Sequence, residues 1–114
     1  MTGRPTYSAD GLRHDVADPA TWSVRVCEDR CVTCIFRPGN LMHLEPGRVA
    51  GMVNTAVADE GHIVCHKTLG TESPAICAGF AIHPRGRTAS LALRLAHAGV
   101  LRIIPVQPDR EGRP

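Results

Sequence analysis

Large side chains are what this chain has least of. One tryptophan, one tyrosine and two phenylalanines make up 4% of its 114 residues, so the usual aromatic anchors of a small core are nearly missing. Something besides packing is expected to hold the fold together. Nor is there a run of about 18 apolar residues, the length needed to cross a bilayer, which excludes a membrane-spanning helix. The stretch from Met1 to Trp22 carries Arg4, Asp10, Arg13, His14, Asp15 and Asp18 without an apolar run. It is unlike a secretory leader, and we expect a cytoplasmic protein with reduced thiols.

An excess of charge is missing too. The formal net charge is +2, and the short basic clusters Arg85-Arg87 and Arg110-Arg113 are offset by Asp59, Glu60 and Glu72. That balance does not demand a nucleic-acid partner. Catalytic signatures are absent as well: there is no Gly-x-Ser-x-Gly, phosphate loop, His-Glu-x2-His or dinucleotide fingerprint. The carboxylate pair Asp59-Glu60 reads as a helix end, and we expect a protein that is not an enzyme.

What is present is enough apolar residue, 43% of the chain, for one domain. Residues 1–21 are rich in Gly, Pro, Thr, Ser and Asp and read as a flexible arm anchored by Leu12, Val16 or Trp22. Residues 22–106 form the expected domain, and 107–114 a polar tail. Ser23-Val24-Arg25-Val26-Cys27 alternates like a short strand, and Pro38-Gly39-Asn40 signals a turn.

From Pro46 to about Ala58, Val49, Met52, Val53, Ala56 and Val57 recur at intervals of three and four. This predicts an amphipathic helix stopped by Asp59-Glu60-Gly61, with a glycine cap at Gly61. His62-Ile63-Val64-Cys65 reads as a short strand, and Gly70 and Ser73-Pro74 mark a loop. A second helix is expected from Thr88 through Ala98, with Leu91, Ala92 and Leu95 inward and Gly99 ending it. Val100 to Val106 reads as a strand interrupted by Pro105. The expected fold class is α+β, a small single domain with two helices and a few short strands organised around a metal centre.

The five cysteines, Cys27, Cys31, Cys34, Cys65 and Cys77, supply the reason for that centre. Cys31-x2-Cys34 places two thiolates a few ångströms apart, with backbone N–H groups able to bond the sulfurs. Such a turn grips half of a tetrahedral site or one edge of a cluster. Cys65 and Cys77, each in an apolar setting, complete a four-sulfur set, leaving Cys27 to pack beside the site, replace Cys31 or act as a redox-active neighbour. A four-thiolate site carries a net charge of about −2 that must be compensated, and Arg37 and Lys67 lie close by in sequence.

Free buried cysteines would be the plain alternative, with Cys27, Cys31 and Cys34 on one helix face. A disulfide-bonded chain fits less well, since five is odd and no export signal is seen. The spacing Cys27-x3-Cys31-x2-Cys34 matches that of radical S-adenosylmethionine enzymes, but the chain is too short for their barrel.

The strings Cys31-Val32-Thr33-Cys34-Ile35-Phe36-Arg37, Cys65-His66-Lys67 and Cys77-Ala78-Gly79-Phe80 resemble the signature blocks of a small cysteine-rich family of actinobacteria and their phages. Its pattern is Cys-x2-Cys followed by an aromatic and an arginine, then Cys-His, then Cys-x-Gly. The resemblance spans about residues 27–80. It implies Cys31, Cys34, Cys65 and Cys77 as the shared set, places Cys27 outside it, and implies no activity.

One close pair and two single cysteines suit a [4Fe–4S] cluster better than a zinc site built from two knuckles. Zinc is the alternative cofactor, including a Cys₃His set using His66; His43, His62 and His83 lie in the same central region. These residues lead us to expect a small regulatory or redox-sensing module that works through a protein partner, with the transcription machinery as a candidate. The alternative is a zinc-stabilised adaptor contacting protein or nucleic acid through Arg85, Arg87, Arg94 and Arg102.

Overall fold

A computed structural model describes residues 15–69 and 71–108. The elements run β1 (Ala17–Asp18), β2 (Ser23–Cys27), α1 (Arg48–Ala58), α2 (Ala78–Ile82), α3 (Pro84–Ala89), α4 (Leu91–His97) and β3 (Arg102–Val106). The α+β expectation holds at the level of helices packed with a three-stranded sheet. Among the described residues four helical segments stand where two were expected.

β2 is the middle strand, antiparallel to β1 and parallel to β3, with Val24 opposite Ile103 and Cys27 opposite Val106. Its middle position explains why Ser23 is buried along with Val24, Val26 and Cys27. A strand covered on both faces loses the clean polar alternation of an exposed one. Arg25 stays half-buried by donating to the carbonyls of Pro74 (2.8 Å) and Asp15 (2.8 Å). Pro105 does not interrupt β3 but lies within it, opposite Val26. β3 is an edge strand, where a missing N–H can be tolerated.

Most of the expected arm, including Leu12, lies outside the described residues. From residue 15 the chain is part of the fold: Val16 is buried and accepts from the Arg25 N–H at 2.8 Å. Trp22, considered as an anchor, is exposed and takes a positive φ of 52°. Of the expected tail, only residues 107 and 108 are described.

α1 begins two residues later than its apolar stripe suggests, because Gly47 at its N-cap is left-handed (φ 82°). Val53 and Ala56 form its buried face. Its end differs from expectation. The left-handed residue is Glu60 (φ 55°), whereas Gly61 donates to the Ala56 carbonyl at 2.8 Å and Glu60 to Val57 at 3.2 Å. This is a Schellman closure with glutamate in the place usually given to glycine. Glu60 is held there from outside α1: its carbonyl accepts from the Leu91 N–H at 2.9 Å and its carboxylate meets Arg94 at 3.0 Å.

The single helix expected over 88–98 is broken at Ser90. This residue has extended backbone (ψ 124°) and caps α4 by accepting from the Leu93 N–H at 3.3 Å. Serine's capping preference wins over helix propagation, and the helical chain extends back to Pro84 as α3. The break also turns the faces. Leu93 is the buried residue of α4, Ala92 and Leu95 are partly buried, and Leu91 is exposed. α4 ends at Gly99 (φ 82°) as expected, with Val100 donating to the Leu95 carbonyl at 2.9 Å.

Candidate metal centre

Three separate stretches of chain carry the five thiols, and a short run of backbone pairing brings the stretches together. Ile76 forms bridges on both sides, parallel to Val26 and antiparallel to Val64. Cys27 N–H donates to the Ile76 carbonyl (2.9 Å), Cys65 N–H to Ala75 (2.9 Å) and Cys77 N–H to Ile63 (2.8 Å). The strand expected over 62–65 is thus reduced to a single bridge at Val64, which suffices to set Cys65 in the core. Thr68, also buried, closes the intervening loop by donating to the Cys65 carbonyl and accepting from the Ala75 N–H, both at 3.0 Å.

The Cys31–Cys34 segment is a turn, closed by Cys34 N–H to the Cys31 carbonyl at 3.1 Å. This rules out the arrangement in which Cys27, Cys31 and Cys34 share a helix face: Cys27 ends β2 and the other two flank the turn. Arg37 fastens the turn by donating to the carbonyls of Cys31 (2.7 Å) and Arg30 (2.9 Å). It supports the site through the backbone. The Thr33 hydroxyl meets His66 Nε2 at 2.6 Å, joining the turn to the Cys65 segment.

All five cysteines are buried and none is in a disulfide. The Cys34 and Cys77 sulfurs lie 3.7 Å apart, and Cys27, Cys31 and Cys65 are near enough to shift one another's ionisation. Among the described residues, no three His, Cys, Asp or Glu side chains are gathered tightly enough to hold a metal ion as they stand.

The local backbone treats the thiols differently. Phe36 N–H donates to Cys34 Sγ at 3.4 Å. The amides of Thr33, of Lys67 and Thr68, and of Gly79 and Phe80 favour the thiolates of Cys31, Cys65 and Cys77 in turn. The two amides at Cys77 do so without completing helix-cap geometry. In every case the donor lies two or three residues beyond the cysteine. Cys27 has no such support: its hydrogen bond with Cys65 and its burial raise its pKa. The same bond lowers that of Cys65. Burial pushes Cys31 up to about 11 and Cys77 up to about 12.

Three features of the site were not read from the sequence. The Thr33–His66 bond depends on a partner 33 residues along the chain, and the Thr68 closure joins Cys65 to Ala75 across a loop; neither leaves a local pattern in the sequence. The third is the reason for Gly79: a β-carbon there would lie 2.6 Å from the Phe36 ring and 2.8 Å from its β-carbon. Phe36 therefore packs directly on the backbone beside Cys77. Lys67 contributes its backbone amide to the Cys65 sulfur. His83 is partly occupied elsewhere, its Nδ1 accepting from the Arg85 N–H at 3.1 Å to cap α3.

No family model matches the chain, and comparison with curated proteins and with solved structures finds no match. Among the described residues no helix is long and apolar enough to cross a membrane.

Proposed function

We propose that Cys31, Cys34, Cys65 and Cys77 bind a [4Fe–4S] cluster, and that the protein is a small redox-responsive regulatory module acting on a protein partner. One observation carries the reading. These four sulfurs, and not Cys27, have backbone amides from the following two or three residues to stabilise the thiolate form. Amide dipoles directed at sulfur offset the negative charge of a thiolate-bound centre and tune its potential. The donor set fits in chemistry as well: four buried thiols come from three segments, and a cubane takes its ligands at separate corners.

When bound, such a cluster supplies one-electron chemistry and sensitivity to oxidants. The chain's own residues supply the rest. Phe36 on Gly79 covers the Cys77 side, Arg37 and Thr33 hold the Cys31 turn, and Thr68 fixes the Cys65 loop. The binding segments contain little regular structure, so losing the ligand would loosen the chain from Cys31 to Cys77 and alter the surface offered to a partner.

A second reading has its own support. The 3.7 Å between Cys34 and Cys77 is close to the edge of about 3.8 Å expected for a zinc–thiolate tetrahedron with bonds of about 2.3 Å. Zinc would make the protein a structural adaptor for protein or nucleic acid. Of its expected basic contacts, Arg85 bonds Asn54 (2.8 Å) and Arg94 pairs with Glu60, while Arg87 and Arg102 are exposed.

The deciding experiment is an absorption spectrum with iron, zinc and sulfide analysis on protein purified without oxygen. A broad band near ~400 nm with about four irons per chain is the expected result. A colourless protein with about one zinc would replace the cluster by the adaptor.

A further inference from the structure

β3 stands at the edge of the sheet, and its register with β2 decides which of its backbone groups face outward. The Arg102 N–H donates to the Trp22 carbonyl (2.9 Å), and the Val106 carbonyl accepts from the Glu28 N–H (2.8 Å). Along a strand, successive residues point their N–H and C=O groups to opposite sides. Arg102, Ile104 and Val106 therefore turn theirs toward β2, while Ile103 and Pro105 turn theirs away from the sheet. Ile103, which is 46% exposed, offers a donor and an acceptor there; Pro105 offers only a carbonyl. Such a row is a template for a further strand, cut short by the proline.

Two independent features mark the same edge. Trp22, the chain's one tryptophan, is 62% exposed at the start of that ladder. Its left-handed φ of 52° is a conformation that bulky residues rarely adopt. The turn holding it is well bonded: the Thr21 N–H donates to the Asp18 carbonyl at 3.2 Å, and the Thr21 and Ser23 hydroxyls meet at 2.7 Å. The second feature is charge. Every Asp and Glu of the described residues lies in 15–72, whereas residues 73–108 hold Arg85, Arg87, Arg94 and Arg102 and no carboxylate. Arg94 pairs with Glu60 and Arg85 bonds Asn54, while Arg102 is exposed on β3 itself.

We propose that the β3 edge, with Trp22 and Arg102, docks a short acidic segment of a partner protein as an added strand. The Ile103 N–H and C=O bond the segment's backbone, the Pro105 carbonyl accepts one further N–H, and pairing ends there after about four or five residues. So few backbone bonds give little affinity alone. Trp22 supplies an aromatic anchor, and Arg102 selects carboxylate side chains. A nucleic acid fits less well: it would leave the Ile103 backbone groups unpaired, and the exposed Val100 and Ile103 that flank Arg102 in sequence offer nothing to phosphate. The inference rests on the protein-partner part of the reading above and does not depend on the metal.

The test follows Trp22 fluorescence in the full chain as a synthetic peptide of about seven residues, alternating valine and glutamate, is added. A saturable change in emission is expected, with binding that weakens about tenfold between about 50 mM and about 500 mM salt. Arg102→Glu should weaken it about tenfold. Ile103→Pro removes the outward N–H without removing a bond to β2 and should weaken it by a similar factor; circular dichroism checks that both variants fold. Equal binding of a peptide with lysine in place of glutamate, undiminished binding by either folded variant, or stronger quenching of Trp22 by a single-stranded oligonucleotide would overturn the proposal. So would a dimer of the chain alone that Ile103→Pro disperses, which would assign the edge to a second copy. Iron, zinc and sulfide are measured on the same samples. A metal centre without peptide binding rejects the edge alone, and peptide binding by a protein without metal upholds the edge and rejects the centre.

Discussion

Around α1, α3 and α4 the chain is secured by ordinary means: a serine cap, a Schellman closure, and close approach of small residues such as Gly86 to the Phe80 carbonyl and ring. Around the thiols, residues 27–37 and 63–77 include only isolated bridges and turns beyond the end of β2. There half of the buried residues are cysteines, held by amides, Thr33, Thr68 and Arg37. The comparison shows how a chain with so few aromatics divides its stability. One part is self-sufficient in hydrogen bonds and packing, and the other concentrates buried thiols that would repel one another if ionised together.

The sharpest way to separate the two parts is to withdraw the metal with a chelator. Amide exchange should accelerate first at residues 31–37 and 63–77 and least in α1, and the stability lost should exceed about 5 kcal/mol. Uniform acceleration would mean that the parts are one cooperative unit.

Next in size is a pair of glycine substitutions, one in each part. Gly86→Ala drives a β-carbon to 2.6 Å from the Phe80 carbonyl oxygen, which is backbone. It should cost about 3 kcal/mol in denaturant unfolding whether metal is present or not. Gly79→Ala meets the half-buried Phe36 instead. Its cost should be smaller, about 2 kcal/mol, and should come with weaker metal retention, because Phe36 N–H bonds Cys34.

Ser90→Ala removes the cap of α4 and should lower stability by about 1 kcal/mol, leaving metal content unchanged. Smallest is Glu60→Gln: the ion pair with Arg94 is largely solvent-exposed on both sides, and thermal melting should register no more than about 0.5 kcal/mol. A larger loss would show that the carboxylate holds Glu60 in its left-handed conformation.

Much of this was legible in the sequence where the signal is local. β2 matches its alternating residues, α1 its apolar period, and Gly99 its role as terminator. Ser90 was misjudged because a helix-length run of good formers hides a cap that acts only once the preceding residue leaves the helix. Glu60 was misjudged because its partners, Leu91 and Arg94, lie far along the chain. The fold buries all five cysteines in one core, and the choice of four among them from spacing and neighbours is the proposal made above. Which metal such a set would hold was not legible, since thiol spacing is shared by zinc and iron–sulfur sites. The place of Cys27 was hidden for another reason: it depends on the pairing of Ile76 with both Val26 and Val64.

The parallel pairing of β2 with β3 carries a consequence for synthesis. A chain made from its amino end releases all five cysteines by Cys77, about 25 residues before Arg102 begins the strand that completes the sheet. During that interval β2 lacks its parallel neighbour, while the thiols and the Ile76 bridge are already available. If the proposed centre takes its metal at that stage, loading would precede closure of the sheet, and β3 would seal a centre already filled.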